Sequence, residues 1–187
     1  DVYNVAIGYD AGNDITTGTL NTIMGGLAGS ALTTGEKNIA IGHNALATED
    51  TGGRSIAIGH GALRYQNNDA SNYNTAIGYD AGTNITTGIQ NTIMGGLAGD
   101  ALTAGSYNVA IGYAALSAED ANGRNVAIGY HALVSQNAGA DAYNVAIGFK
   151  AGENVSTGVQ NTLIGGSAGD SLTEGSYNVA IGYNALS

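Results

Sequence analysis

The glycine of one short phrase, Asn-x-Ala-Ile-Gly, returns at near-constant intervals along all 187 residues, which restricts the chain to a repeat architecture. It falls at Gly8, Gly25, Gly42, Gly59, Gly78, Gly95, Gly112, Gly129, Gly148, Gly165 and Gly182. The steps are 17, 17, 17 and 19 residues, the same four again, then 17 and 17. A fixed step of this size predicts a solenoid with one coil per repeat, each burying its apolar face on the next. The expected fold is all-β, a parallel β-solenoid or β-roll of about eleven 17–19-residue coils.

A longer period lies above the short one. Four coils make 70 residues, so Asn4 maps onto Asn74 and Asn144, where three super-units start. Coil one, NVAIGYDAGNDITTGTL, returns as NTAIGYDAGTNITTGIQ and NVAIGFKAGENVSTGVQ. Residues 1–187 read as a single repeat array without a linker. The chain starts at Asp1 and begins and ends within the pattern, which suggests a piece of a longer fibre.

Within a coil, Asn is followed by a β-branched residue, then a small or medium apolar one, then Ile or Met. Alternation along a strand puts the first and third of these slots on one face. That face is expected to be interior, because the third slot never becomes polar. An Ala stands three residues after each glycine, from Ala11 to Ala185, and a side chain held to one methyl suggests close packing. The next residue runs Gly, Gly, Leu, Leu through the four coils. The Gly coils add Ile15, Leu32, Ile85, Leu102, Val155 or Leu172 three residues on, where the Leu coils have Glu49, Gln66, Glu119 or Gln136. Conserved core volume accounts for this exchange.

A second exchange links the middle slot to the residue after the glycine. Ala6 goes with Tyr9 and Ala40 with His43, whereas Ile23, Ile93 and Leu163 go with Gly26, Gly96 and Gly166. The two sites are expected to share one volume. Stacked coils place like on like about 4.8 Å apart. The column Asn4, Asn21, Asn38, Asn74, Asn91, Asn108, Asn125, Asn144, Asn161 and Asn178, interrupted by Ser55, is expected to form an amide ladder. Open rod ends and the remaining apolar positions need cover, which predicts side-by-side self-association, most simply as a parallel cyclic homotrimer.

The Asn-x-Ala-Ile-Gly-x-x-Ala phrase resembles the head repeats of trimeric autotransporter adhesins. The spellings NVAIGYNAL, NTIMGG and GSYNVAIGY are similar to repeats of phage tail-fibre proteins, often found upstream of a self-cleaving chaperone domain. The resemblance spans the whole chain. It implies a left-handed parallel β-roll in a homotrimer, extracellular, that spaces or presents a host-binding surface. The adhesin repeat is shorter, so these coils carry extra loop.

Composition narrows the partners. Only 11% of residues are charged, yet the net charge is −10, which argues against nucleic acid and anionic membrane surfaces. No apolar run reaches the ~18–20 residues of a membrane span. The chain has no cysteine, which excludes disulfides and thiolate metal sites. No cofactor is expected.

Several features are weighed for chemistry. Gly165-Gly166-Ser167-Ala168-Gly169 matches the G-x-S-x-G spelling of hydrolases without the strand-to-helix context that chemistry needs. His43, His60 and His131 are candidate metal ligands, against a bland substitution for Tyr in a ring column. Glu49-Asp50, Glu119-Asp120, Asp10 and Asp80 offer carboxylates for calcium, against solvated acidic turns. The long loop of the fourth coil carries Arg64, Tyr65 and Tyr73, residue types that suit a receptor contact. Asn84 and Asn154 fit the N-glycosylation spelling.

The leading expectation is a non-enzymatic structural and adhesive fibre segment. It would be a rigid trimer of a phage tail fibre or bacterial surface adhesin, partnered by itself and by a host receptor or glycan. The rivals are a β-helical polysaccharide depolymerase and an ice-binding solenoid. A depolymerase needs one differentiated cleft, which near-identical repeats disfavour. An ice-binder needs an unbroken Thr array, but Asp50 and Asn67 interrupt the column of Thr16, Thr33, Thr86 and Thr103.

Overall fold

A backbone glycine on a backbone glycine is the recurring contact of this molecule. In the computed structural model, which describes residues 3–187, a Cβ built on Gly42 would lie 2.4 Å from the carbonyl oxygen of Gly59. The φ of Gly42 is 131°, a conformation that L side chains rarely adopt. Each coil turns on such a glycine immediately after its strand.

The strands are β1 (Val5–Ile7), β2 (Thr22–Met24), β3 (Ile39–Ile41), β4 (Ile56–Ile58), β5 (Thr75–Ile77), β6 (Thr92–Met94), β7 (Val109–Ile111), β8 (Val126–Ile128), β9 (Val145–Ile147), β10 (Thr162–Ile164) and β11 (Val179–Ile181). They form one parallel sheet in chain order, and there is no helix among the described residues. The register is constant: Val5 pairs with Thr22, Ala6 with Ile23 and Ile7 with Met24, and so on to β11. Backbone bonds continue through the turns, as in Gly12 N–H to Ala28 O at 3.0 Å and Thr16 N–H to Thr33 O at 2.9 Å. The chain is therefore a parallel β-solenoid of roughly 17-residue coils, about 50 Å long at the usual strand spacing.

The interior face differs from the expected one. The middle strand slot points inward: Ile23, Ala40, Ala57, Ala76, Ile93 and Leu163 are fully buried. The first and third slots, expected inside, face out; Ile7 is 56% exposed and Ile181 69%. Alternation fixes which residues share a face but not which face is covered. The middle slot is small because the coil is narrow, and the third is large and apolar on a surface that the single chain leaves open.

The core is one side chain deep. Leu46, Leu63, Leu116 and Leu133 fill it in the Leu coils, and Leu32, Ile85, Leu102 and Val155 in the Gly coils. The second expected exchange is also corrected. The large middle residue does not share a volume with the position after the turn glycine. Ile23 reaches into the space beside Gly12 and Gly29, where an added Cβ would meet its Cδ1 at 3.0 and 3.3 Å. Gly26 instead lies outside, below the ring of His43.

Substituting Gly42 by Ala is expected to destabilise the chain by more than the ~1 kcal/mol typical of a glycine replacement, since backbone must shift. Gly26→Ala, where the nearest atom is a ring carbon at 3.5 Å, is expected to leave the thermal midpoint within about 2 °C. Thermal unfolding followed by circular dichroism checks both.

Candidate functional site

Most coils are closed by their asparagine; Ser55 replaces it in the fourth coil, and Asn125 Nδ2 finds no protein partner in the eighth. Asn21 donates Nδ2–H to Gly35 O at 2.9 Å, fastening the start of the coil to its end. Its Oδ1 accepts the backbone N–H of Asn38 at 2.9 Å, fastening that coil to the next. The pattern recurs at Asn4, Asn38, Asn74, Asn91, Asn108, Asn144 and Asn161. The column is therefore chiefly an amide-to-backbone staple and not an amide-to-amide ladder. Direct amide pairs occur at Asn91 to Asn74 (3.2 Å) and Asn178 to Asn161 (3.0 Å). Asn21 through Asn161 lie buried, because each amide fills the interior at the coil seam.

The acidic turns divide. Glu49 and Glu119 are not solvated: both are fully buried in the slot that Leu32 fills elsewhere. Glu49 accepts N–H from Gly52 (2.8 Å), Gln66 Nε2 (2.9 Å) and Asn72 Nδ2 (2.9 Å). Gln66 also donates to Ser55 Oγ at 2.9 Å and accepts from Asn74 at 2.8 Å. In the next super-unit Ser55 becomes Asn125 and Asn72 becomes Ala142. Glu119 then takes a side-chain hydrogen bond from Asn122 Nδ2 at 3.1 Å, with backbone bonds from Asn122 and Asp120. Its Oε2, with Gln136 Nε2 and Asn125 Nδ2, has no protein partner. Burial pushes both carboxyls above the ordinary glutamate value, opposed by these hydrogen bonds. The missed signal was positional: both acids stand where the Gly coils carry a core aliphatic.

Rings form an outward column. His43 stacks on His60 and His60 on Tyr79, each at 5.3 Å between centroids. Tyr130 lies between Tyr113 (5.7 Å) and Phe149 (5.4 Å). His131 is apart from the other histidines, stacked on Tyr130 at 4.0 Å. Its Nδ1 is 3.4 Å from Glu153, which Lys150 also pairs at 3.0 Å. Burial raises the Glu153 pKa, but hydrogen bonds and charge from Lys150 and His131 outweigh it and hold the carboxyl below its ordinary value. No group of three His, Asp or Glu is placed to hold a metal ion among the described residues.

The loop candidates separate. Arg64 lies over Tyr65 at 5.0 Å, whereas Tyr73 takes Arg54 of the coil before at 5.7 Å. Tyr73 belongs to a column at the residue preceding each asparagine, with positive φ throughout. There Arg124 lies over Tyr107 (5.2 Å) and Tyr143 (5.6 Å). Arg54 and Arg124 were legible only by aligning that position across coils. Each cation–π contact at an exposed site contributes about 0.5–1 kcal/mol.

Other candidates are tied into the stack. Thr16, Thr33, Thr86 and Thr103 each donate Oγ1–H to a carbonyl of the following coil. Asn84 and Asn154 donate to Asp100 O and Asp170 O at 2.7 Å. Ser167 sits in a turn at φ 51°, and no histidine hydrogen-bonds it among the described residues. The described surface encloses no cavity. Comparison with protein-family models, curated proteins and solved structures finds no match to this chain.

Glu119→Gln and Glu49→Gln should act in opposite directions. A raised folded pKa favours the protonated form, so the stability it confers is present below about pH 4.3 and lost as pH rises through the folded value. Glu119→Gln removes a poorly paired buried charge and should raise the thermal midpoint at pH 7 while changing little at pH 4. Glu49→Gln leaves at least one buried donor without an acceptor and should cost about 1–3 kcal/mol at pH 7. Asn91→Ala, which opens a coil and frees the Asn108 N–H, should cost a similar ~1–3 kcal/mol. Urea unfolding at both pH values reads all three.

Proposed function

We propose that the chain is a structural and adhesive fibre segment: a stiff β-solenoid that associates side by side as a parallel homotrimer and spaces or presents a host-binding surface. The observation that carries this is the outward strand face. From β1 to β11 its first slot holds Val, Ile or Thr and its third Ile or Met, without one charge. Ile7, Met24, Met94, Ile147, Ile164 and Ile181 are all more than a third exposed. A continuous apolar strip on a water-exposed rod marks an association surface. A second copy fits it best, because parallel copies repeat the same rung spacing and match Ile to Ile along the whole length.

The resemblance to adhesin head and phage tail-fibre repeats supports three copies, a left-handed coil and an extracellular setting on a virion or bacterial surface. The mechanism is mechanical and non-enzymatic. Hydrogen bonds from coil to coil resist bending and proteolysis, while surface columns meet the host. A net charge of −10 keeps such fibres apart from one another and from nucleic acid.

Size-exclusion with light scattering should return three times the 18.6 kDa chain mass. Ile58→Lys with Ile77→Lys, on the outer face of β4 and β5, should shift the chain to monomer with its β-type circular dichroism retained. A wild-type chain that is monomeric and folded at micromolar concentration overturns the trimer.

A further inference from the structure

We propose that the two columns bordering the apolar strand face are unlike halves of one joint. In the trimer the column before the strand of one copy lies, rung for rung, against the ring column after the strand of the next. This rests on the side-by-side association above and adds its contacts and register. The first column is the residue before each asparagine, and the second is the residue after each turn glycine, six positions on. Along the coil the outward strand residues lie between them.

The two borders change together. Where the second is glycine, at Gly26, Gly96 and Gly166, the first is Leu20, Gln90 or Gln160, neither ring nor cation. Where the second is a ring, the first is a ring or a cation. Tyr73 goes with Tyr79 and Tyr143 with Phe149. Arg54 goes with His60 and Arg124 with Tyr130. At β3 the pair is Lys37 and His43, whereas at β7 and β11 both members have changed, to Tyr107 with Tyr113 and Tyr177 with Tyr183. The four-coil period does not require that joint change.

The members of a pair do not meet within one chain. From β2 to β11, among the described residues, no ring stack or cation–π contact joins one border to the other. Tyr113 stacks on Tyr130 within its own border, and Arg124 lies over Tyr107 within the other. Positions that vary together without touching in their own chain point to contact with another copy.

Symmetry decides which contact. In a cyclic assembly about an axis along the rod, all copies stand at one height, and the border before the strand meets the border after it on the next copy. An antiparallel joint sets each border against its own reverse. With the rungs overlapped from β1 to β11, that would bring Arg54 of β4 level with Arg124 of β8, and Gly26 level with Gly166. The parallel joint instead sets ring against ring and guanidinium against ring, both attractive pairings. The surface for it is uncovered: Tyr73, Tyr79, Tyr143 and Phe149 are each more than half exposed. The cations arrive already paired, Lys37 and Arg54 with Glu36 and Arg124 with Asp141.

Cysteine cross-linking reads the joint directly, since the chain has no cysteine of its own. Gly96 lies outside the left-handed region, and a Cβ there would meet Tyr113 Cδ2 at 3.6 Å, an ordinary contact, so the site accepts a side chain. A chain with Gln90→Cys and Gly96→Cys, treated with a short bismaleimide, should run on a denaturing gel at three times the 18.6 kDa chain mass. Leu20→Cys with Gly26→Cys repeats the test at β2, should the first variant not fold. Either substitution alone should leave single chains. Cross-linking by a single variant means that a border meets itself, and overturns the proposal. No cross-link in a paired variant that light scattering shows to be trimeric also overturns it, while leaving the trimer standing. A folded monomer overturns both.

Discussion

A single amide, repeated in ten of the eleven coils, makes a rod of roughly 50 Å out of three-residue strands. Strands that short have almost no stability of their own. The asparagine supplies what they lack. Its Nδ2 closes the coil and its Oδ1 takes the first N–H of the next, so local closure and stacking are one interaction. In most coils the acceptor that closes the coil is a glycine carbonyl, so side chains are excluded where the seam is tightest; Asn108, which closes on Asn122 O, is an exception. A Cβ on Gly18 would lie 2.4 Å from Gly35 O. Turn glycines, seam glycines and the asparagine form one device.

Stacking also limits what the interior can hold. A coil one side chain deep leaves no room for two large residues at the same height, so volume moves around the coil and not into it. Ile23 is matched by Gly12 and Gly29, and Leu46 by Ala40. The buried acids follow the same rule with polar groups. Glu49 is tolerated because Gly52, Gln66 and Asn72 converge on it. Glu119 keeps the volume and loses both side-chain amides that reach Glu49 from the next coil, since Ala142 stands where Asn72 stood and Gln136 Nε2 has no protein partner. Around Glu49 only Asn72 Oδ1 lacks a partner, whereas around Glu119 three atoms do, at nearly the same sequence.

The outer surface is divided into parallel strips, each one residue position wide. The strand face is apolar and uncharged. The ring column is aromatic, with gaps. The position before each asparagine carries the Arg–Tyr contacts of Arg54 and Arg124. A solenoid turns a position in the repeat into a line on the surface. A side-chain choice made in each coil thereby becomes a long feature able to meet another rod or a polymer.

Periodicity alone determined the coil count, the parallel register and the stacking of like on like, because a constant step leaves no other way to bury successive apolar faces. It also placed the asparagines and rings in columns. The tertiary structure decided which side of each column is inside. The alternation of Val5, Ala6 and Ile7 is symmetric with respect to that choice, and an apolar residue satisfies either a core or an interface. It decided the fate of Glu49 and Gln66 for the same reason: their position in the coil is legible, but only the closed cross-section shows that the position is interior. Pairings such as Arg54 with Tyr73 depend on which neighbour's side chain reaches across a rung, a distance that spacing in sequence does not contain.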